Sequence, residues 1–337
     1  AQRASHWVQR AANAAHRAER GVHVRRGLVL GAGGVLGFTW TVGALHALEQ
    51  SLGMDVRDMD VIVGTSAGSI MAAVLSNDVP LDTVLRHQRG RVRPGDVEID
   101  WNYDSDSGGA LPPLPLLGLG SPQLLARVAR HPSRFPPITA ATALLPRGRG
   151  RLAPVTNMVE RIGSASWPER ETWIVALDYA TGRRTVFGQQ GAPGARLSEA
   201  VTASCAIPGW YAPVRIGGRL YVDGGAHSAT SLDLLAGSAL DEVFVVAPMA
   251  ATGYDQPLSF VGQLERRFRR TVTRRLQREA EKVTRSGTEV TLLAPGADDL
   301  RAIGSNMMDH RRRRAVLRTS LCTSTDALRD RRSDLSA

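Results

Sequence analysis

Short apolar runs alternate with helical patterns in the first part of the chain. Residues 26–31 and 60–64 are almost continuously apolar and end in glycine, which predicts two buried strands. A helical pattern follows each run, and the second one covers residues 67–75. Strand–helix–strand–helix order needs crossover helices between parallel strands. The sequence therefore predicts an α/β domain with a largely parallel central sheet.

Further elements are predicted in the second half of the chain. Residues 214–222 predict a hairpin turned by Gly217 and Gly218. Residues 260–283 carry apolar side chains three or four positions apart, which predicts an amphipathic helix with an arginine-rich outer face. The other predicted elements are strands at 172–177, 184–187, 242–247 and 289–293 and a helix at 197–204.

No periodic pattern covers residues 91–150, which are rich in proline and contain unpatterned leucines between 111 and 119. An irregular segment of this length inside a compact fold is usually functional or disordered. We therefore predict an irregular insertion at 91–150, which is either a lid beside a functional site or a mobile loop. It interrupts one domain at 24–310, which follows a polar arm at 1–23 and precedes a basic helix or tail at 311–337.

The chain is strongly basic, with 42 Lys and Arg residues against 32 Asp and Glu residues. Lys282 is the single lysine, and arginines cluster at 266–278 and 311–314. Such clusters suit either an anionic membrane surface or a solvated protein face. No nucleic-acid-binding motif accompanies them, so no nucleic acid partner is expected.

Cysteine usage and hydropathy predict where the protein is found. Two cysteines, Cys205 and Cys322, are too few for a disulfide framework, and neither has metal-ligand spacing. No stretch approaches the roughly 20 apolar residues of a membrane span. The first residues lack the apolar core of a secretory signal. The expected location is the cytoplasm. Peripheral attachment to the inner membrane surface is compatible with this expectation.

A serine lies between two glycines at a predicted strand-to-helix turn, in GTSAG at residues 64–68. A G-x-S-x-G pattern in this position is typical of a nucleophile elbow. Gly64 and Gly68 let two backbones approach closely, and the turn places the Ser66 hydroxyl above a helix N-terminus that favours negative charge. The alternative is a small-residue turn in which Ser66 only caps the helix.

A second glycine-rich turn, GAGGVLG at residues 31–37, follows the first predicted strand. Gly33 and Gly34 let the backbone N–H groups point into open space, where they can bind an oxyanion. The alternative is dinucleotide binding. The third glycine of G-x-G-x-x-G would fall on Leu36, so that fingerprint fails.

A third short motif closes the predicted hairpin, where Asp223 precedes Gly224 and Gly225. An Asp followed by two glycines is by itself a common turn. Its significance comes from the order of the three motifs along the chain: a glycine-rich turn near the N-terminus, then G-x-S-x-G, then a late D-G-G.

This order resembles the patatin-like phospholipase family. LGAGGVLG at 30–37, followed by GALHALE at 43–49, looks like the family's opening strand, glycine turn and helix. ASCAIP at 203–208, before the hairpin, is similar to its late block. The likeness covers roughly residues 25–310 apart from the insertion. It implies a three-layer patatin-like α/β fold around a largely parallel sheet.

The resemblance also implies a serine–aspartate dyad that hydrolyses a lipid ester. Ser66 matches the family's nucleophile and Asp223 its base, and the backbone N–H groups of Ala32, Gly33 and Gly34 match its oxyanion hole. No catalytic histidine, metal or organic cofactor is implied. The expected substrate is a phospholipid, a lysophospholipid or a neutral lipid ester, cleaved through an acyl-enzyme intermediate.

Two residues of the glycine turn depart from the family's pattern, in which the turn often has three glycines and a basic residue. Ala32 replaces the first of these glycines, and Leu36 replaces the basic residue. Backbone donors remain at both positions. The missing positive charge makes a phosphate head group a weaker expectation than ester hydrolysis itself.

Three alternatives stay open on the sequence alone. A triad in the chain order Ser–Asp–His would use His227 or His310, although neither has a motif around it. The same site would also serve transfer of the acyl chain to an acceptor other than water. A non-catalytic lipid- or nucleotide-binding protein would keep the fold, but the intact Ser66, Asp223 and glycine turn speak against it.

Overall fold

The computed structural model describes residues 23–99, 111, 113–115, 118–163 and 166–336. The N-terminal arm expected at 1–23 therefore lies outside the described residues, apart from its last position.

One sheet of eight strands runs through the described part of the chain. The strands are β1 (Arg26–Leu30), β2 (Val61–Thr65), β3 (Glu171–Asp178), β4 (Arg184–Phe187), β5 (Val214–Ile216), β6 (Arg219–Asp223), β7 (Glu242–Val246) and β8 (Glu289–Leu293). Their order is β5-β6-β3-β2-β1-β7-β8, and β4 pairs with β3. The five strands from β3 to β8 in this order are parallel, whereas β4, β5 and β6 form antiparallel pairs. The predicted largely parallel sheet is confirmed.

Helices cover both faces of this sheet and make three layers. Within the described residues they are α1 (Gly34–Leu52), α2 (Ala67–Ser76), α3 (Leu81–Arg89), α4 (Pro122–Arg130), α5 (Pro137–Leu144), α6 (Ala153–Ile162), α7 (Leu197–Ser204), α8 (Phe260–Arg285), α9 (Ala297–Ile303) and α10 (Arg313–Ser336). Leu28 and Leu30 pack into the core on one face, and Val29 packs into the core on the other. Burial on both faces explains the continuous apolar run of β1. None of these described helices is long and apolar enough to cross a membrane.

Two strands end next to each other on β3. β2 runs parallel to β3 and pairs its last residue, Thr65, with Val175. β6 runs antiparallel to β3 and pairs its last residue, Asp223, with Ala176. Since Val175 and Ala176 are consecutive, the topology brings the turn after β2 and the turn after β6 to one point.

The insertion at 91–150 is less irregular than the sequence predicts, because it contains α4 and α5. These helices begin at Pro122 and Pro137. Proline suits the first turn of a helix, where its missing N–H is not needed and its fixed φ is already helical. Two of the prolines that suggested an irregular chain therefore start helices.

The two insertion helices also have a structural role at the edge of the sheet. Leu124 of α4 and Ala143 of α5 are buried with Leu177 of β3 in a small separate core. The Thr139 hydroxyl donates a 2.7 Å hydrogen bond to the Ala226 carbonyl. Among the predicted lid leucines, Leu114 is exposed, whereas those at 116–117 lie outside the described residues. A lid stays a prediction.

The amphipathic helix predicted at 260–283 is present as α8, but the orientation predicted for its first half is wrong. Leu264 is 57% exposed, whereas Arg266 is only 3% exposed. Arg266 faces inward because Asp255 and Glu265 pair with its guanidinium. Apolar residues such as Leu276 face the core only in the second half of the helix.

Candidate active site

Ser66 occupies a strained turn between β2 and α2. Its φ of 54° and ψ of −125° lie in a region that residues with a side chain seldom adopt. The flanking glycines are required by close backbone contacts, because a Cβ on Gly68 would lie 2.0 Å from the Leu30 carbonyl oxygen. On Gly64 it would lie 2.6 Å from the Cα of Ser69. The turn has the geometry expected of a nucleophile elbow.

Hydrogen bonds from neighbouring serines hold the backbone of Ser66. Its N–H donates to the hydroxyl of Ser204 at 2.9 Å, and that hydroxyl donates to the Val175 carbonyl at 2.6 Å. The Ser69 hydroxyl donates to the Ser66 carbonyl at 2.6 Å. Both backbone polar groups of Ser66 are thus satisfied, and the strained turn is fixed by β3 and α7.

Asp223 stands at the end of β6, and its carboxylate lies beside the Ser66 hydroxyl, which favours the charged form of the carboxyl. The Gly225 N–H donates to the same carboxylate at 2.7 Å. Ser66 and Asp223 are each only 5% exposed. Burial raises the pKa of Asp223 to about 6, against the lowering effect of the bonds from Ser66 and Gly225. A carboxylate with a raised pKa beside a hydroxyl suits a general base.

Cys205 lies beside this pair but has the properties of a structural thiol. Its sulfur is 3.6 Å from the Ser69 hydroxyl oxygen. Burial, and next the negative charge of Asp223, raise the pKa of Cys205 far above its usual value. A buried thiol that stays protonated is a poor nucleophile.

The glycine-rich turn after β1 provides backbone donors near the pair. The N–H of Ala32 is already used, since it donates to the Ala229 carbonyl at 2.7 Å. Among the hydrogen bonds of the described residues, none uses the N–H groups of Gly33 and Gly34. Gly34 has a φ of 57° and starts α1, so these donors stand at the positive end of a helix dipole. The N–H groups of Gly33 and Gly34 are therefore available as donors at this turn.

Ser66 and Gly34 open onto a cavity of about 330 Å³. Apolar side chains from three helices and the insertion make up most of its wall, among them Ile70, Val84, Ile99, Val155 and Met158. Polar side chains, among them His87, Gln88 and Arg313, also reach the lining. The volume lies at the lower end of the range for small-molecule sites. An apolar chain fits this cavity chemically.

Neither of the two histidines considered from the sequence lines the cavity within the described residues. His227 is half-buried, and this burial, followed by the charges of Arg184 and Arg275, lowers its pKa to about 4. The histidine that does reach the cavity is His87, whose Nε2 is 2.9 Å from the Val97 carbonyl oxygen. Sequence reasoning missed His87, because no motif surrounds it.

A family model for patatin-like phospholipase matches residues 28–236, which include the glycine turn, the serine elbow and Asp223. The chain belongs to the patatin-like phospholipase family. Membership supports a lipid acyl hydrolase activity for the chain. The patatin-like match ends before β7, so α8 lies outside it.

Two solved structures are similar to this patatin-like chain. VipD from Legionella pneumophila has 12% identity and a TM-score of 0.42, and the comparison covers 91% of this chain and 67% of that one. The type III effector protein ExoU has 17% identity and a TM-score of 0.36, covering 91% of this chain and 53% of that one. This chain thus spans about half the length of ExoU. No curated protein matches the chain.

The patatin-like site contains supporting residues that the motifs did not identify. Ser204 bridges the nucleophile elbow to β3, and Ser69 fixes the carbonyl of Ser66. Ser204 belongs to the ASCAIP block that resembles the family, but the resemblance assigns no role to this residue. Hydrogen bonds between side chains and a distant backbone cannot be derived from spacing.

Proposed function

We propose that this protein is a serine-dependent lipid acyl hydrolase in which Ser66 is the nucleophile and Asp223 the general base. One observation carries the proposal: the Ser66 hydroxyl lies beside the buried Asp223 carboxylate at a strained elbow that opens onto an apolar cavity. A nucleophile and a base in direct hydrogen-bond contact are the minimal requirement for activated serine chemistry.

In the first half of the reaction, Asp223 takes the proton of the Ser66 hydroxyl as its oxygen attacks the ester carbonyl carbon. The carbonyl oxygen becomes an oxyanion, and the N–H groups of Gly33 and Gly34 stabilise it. Collapse of this intermediate breaks the ester bond, and the leaving alcohol receives the proton from Asp223. The acyl chain is then bound to Ser66 as an ester.

In the second half, water replaces the serine hydroxyl as the attacking group. Asp223 removes a proton from the water as the water attacks the acyl carbonyl, and the same backbone donors stabilise the oxyanion. Collapse returns the proton to Ser66 and releases a fatty acid. Each step uses only groups of the chain, the substrate and water.

The apolar cavity supports an acyl chain as the bound part of the substrate. Transfer of each methylene from water into such a wall contributes about 0.8 kcal/mol. Ile70, Val155 and Met158 line the cavity that also contains Ser66, so a chain bound there has its carbonyl carbon near the nucleophile. Arg313 adds a positive charge to the lining, which suits a substrate with an anionic head group.

Labelling with a fluorophosphonate probe tests the proposal at the level of one atom. Wild-type protein should be labelled, and peptide mapping should place the adduct on Ser66. Ser66→Ala should lose both labelling and hydrolysis of p-nitrophenyl butyrate, while Ser69→Ala retains its nucleophile and should still be labelled. An adduct on another residue, or an active Ser66→Ala protein, would contradict the proposal.

A further inference from the structure

The first half of α8 and the loop before it expose a row of large apolar side chains. Leu258 is fully exposed, Phe260 is 78% exposed, and Val261, Leu264 and Phe268 follow at helical spacing with decreasing exposure. We call these five residues the apolar ridge. Single exposed apolar residues are ordinary, but a cluster of them on one helix indicates an interaction surface.

The ridge cannot turn inward, because arginines occupy the inner side of the same helix. Arg269 is completely buried and donates to the Pro248 carbonyl at 2.6 Å and to the Ala250 carbonyl at 3.2 Å. Arg266 donates to the Leu300 carbonyl at 2.8 Å. Buried charges are tolerated only when paired and hydrogen-bonded, so these contacts fix the rotation of the helix. The exposure of the ridge is built into the fold.

The same contacts place the ridge at the active-site edge of the sheet. Arg269 binds the Pro248 carbonyl, and a Cβ on Gly33 would lie 2.7 Å from the ring of Pro248. The second Nη of Arg269 is 3.1 Å from the sulfur of Met307, whose carbonyl accepts from the N–H of Leu36. The helix that carries the ridge is therefore linked to the glycine turn through Pro248 and Met307, which contact both.

Exposed arginines surround the ridge, while nearby carboxylates face inward. Arg267 and Arg270 are exposed on α8, and Arg270 stacks over the Tyr254 ring at 4.7 Å. Asp255 and Glu265 are mostly buried in ion pairs with the inner arginines. The surface around the ridge thus presents mainly positive charge.

A second group of arginines joins this surface through the segment after α9. Arg312 donates to the Ala302 carbonyl at 3.1 Å, and Arg266 donates to the Gly304 carbonyl at 3.0 Å. Arg311 and Arg314 beside Arg312 are exposed. The basic run at 311–314 therefore begins close to α8.

We propose that the apolar ridge inserts into the surface of an anionic lipid bilayer and brings the active-site edge to the lipid. An apolar centre with a basic rim is the pattern of helices that lie in a membrane interface, where apolar side chains enter the acyl boundary and cations bind anionic head groups. Charge complementarity favours this occupant over a second copy of the chain, which has the same net charge of +10. The docking surface lies outside the catalytic pair, so it is tested separately from the proposed hydrolase activity.

Cosedimentation with vesicles tests this docking surface. The full chain carrying Ser66→Ala avoids hydrolysis and should bind vesicles that contain phosphatidylglycerol, but bind phosphatidylcholine vesicles weakly. Adding Val261→Ser and Leu264→Ser should lower the partition coefficient at least about tenfold, since each removes a large apolar side chain from lipid. Leu144→Ser is the matched control, because Leu144 is 55% exposed but lies on α5. It should bind like the parent.

Arginine variants and a soluble substrate complete the experiment. Arg267→Gln with Arg270→Gln should weaken binding to anionic vesicles and reduce its salt dependence, because exposed charges are screened at higher ionic strength. In the background with intact Ser66, the ridge variant should hydrolyse p-nitrophenyl butyrate like wild type, which separates docking from catalysis. Equal vesicle binding by the ridge variant and the parent would overturn the proposal. So would self-association that depends on the ridge without any vesicle binding.

Discussion

The Ser66 hydroxyl lies beside the Asp223 carboxylate because β2 and β6 end at consecutive residues of β3. β2 and β6 approach this point from opposite directions, so two distant parts of the chain place their turns together. The contact is buried, and its chemistry therefore depends on the protonation state of Asp223.

The pH dependence of acylation should follow Asp223. Burial raises its pKa to about 6, and a protonated carboxyl cannot accept the proton of Ser66. We therefore expect kcat/KM for p-nitrophenyl butyrate to be constant above this pKa and to fall tenfold per pH unit well below it. His87→Ala should leave the midpoint unchanged. A pH profile whose midpoint shifts in the His87→Ala variant would show that His87 is the titrating group, and it would contradict the assignment to Asp223.

The same raised pKa should appear in the stability of the protein. Between the ordinary carboxyl pKa of 3.8 and about 6, the folded state binds the proton more tightly than the unfolded state. The contribution of Asp223 to stability is therefore present at low pH and is lost as the pH rises through about 6. Asp223→Asn has no such loss, so its free energy of unfolding relative to wild type should increase from pH 4 to pH 7. The upper bound is about 3 kcal/mol, from 1.36 kcal/mol per pKa unit. Urea unfolding at both pH values measures it, and a constant difference would show that the carboxyl is not perturbed.

Backbone strain at the elbow predicts a difference between two inactive variants. Ser66 has a positive φ. This backbone conformation is strained for a residue with a Cβ but not for glycine. Ser66→Gly should therefore be more stable than Ser66→Ala by about 1 kcal/mol, although neither should hydrolyse an ester. Thermal unfolding of the two proteins gives the comparison. A less stable glycine variant would show that the turn is not strained.

The cavity predicts acyl selectivity through a pair of valines on α6. Val155 and Val159 are both buried, but only Val155 lines the described cavity. Val155→Phe should fill the cavity and lower the ratio of kcat/KM for p-nitrophenyl decanoate to that for p-nitrophenyl acetate. Val159→Phe is the control for overpacking, and its ratio should stay near that of wild type. Equal ratios in all three proteins would exclude the cavity as the acyl site.

Much of the fold could be predicted because its central strands are buried on both faces. The run at 26–31 predicts β1, and the glycines around Ser66 predict the elbow, since local pattern and tertiary role agree there. The orientation of α8 could not be predicted. Its apolar residues recur at helical spacing, which predicts that they face the core. The rotation of the helix about its axis is set instead by the ion pairs of Arg266 with Asp255 and Glu265. These are tertiary contacts, which the local pattern does not contain.

The sequence names candidate site residues but not their supporting contacts. The family resemblance implies that Ser66 pairs with Asp223, and the structure places these two residues side by side. The hydrogen bond from Ala32 to Ala229 joins loops far apart in sequence, so only the structure shows that this N–H is occupied. Ser204 was likewise visible only as part of a block.

The central claim is that Asp223, and no histidine, is the base for Ser66. The most direct measurement is kcat/KM on a soluble p-nitrophenyl ester for Asp223→Asn beside His87→Ala and His227→Ala. Asp223→Asn keeps the shape of the side chain and removes the base, so its rate should fall by about 10²- to 10⁴-fold. Both histidine variants should stay near wild type. An Asp223→Asn protein with wild-type activity, beside an inactive histidine variant, would contradict the account.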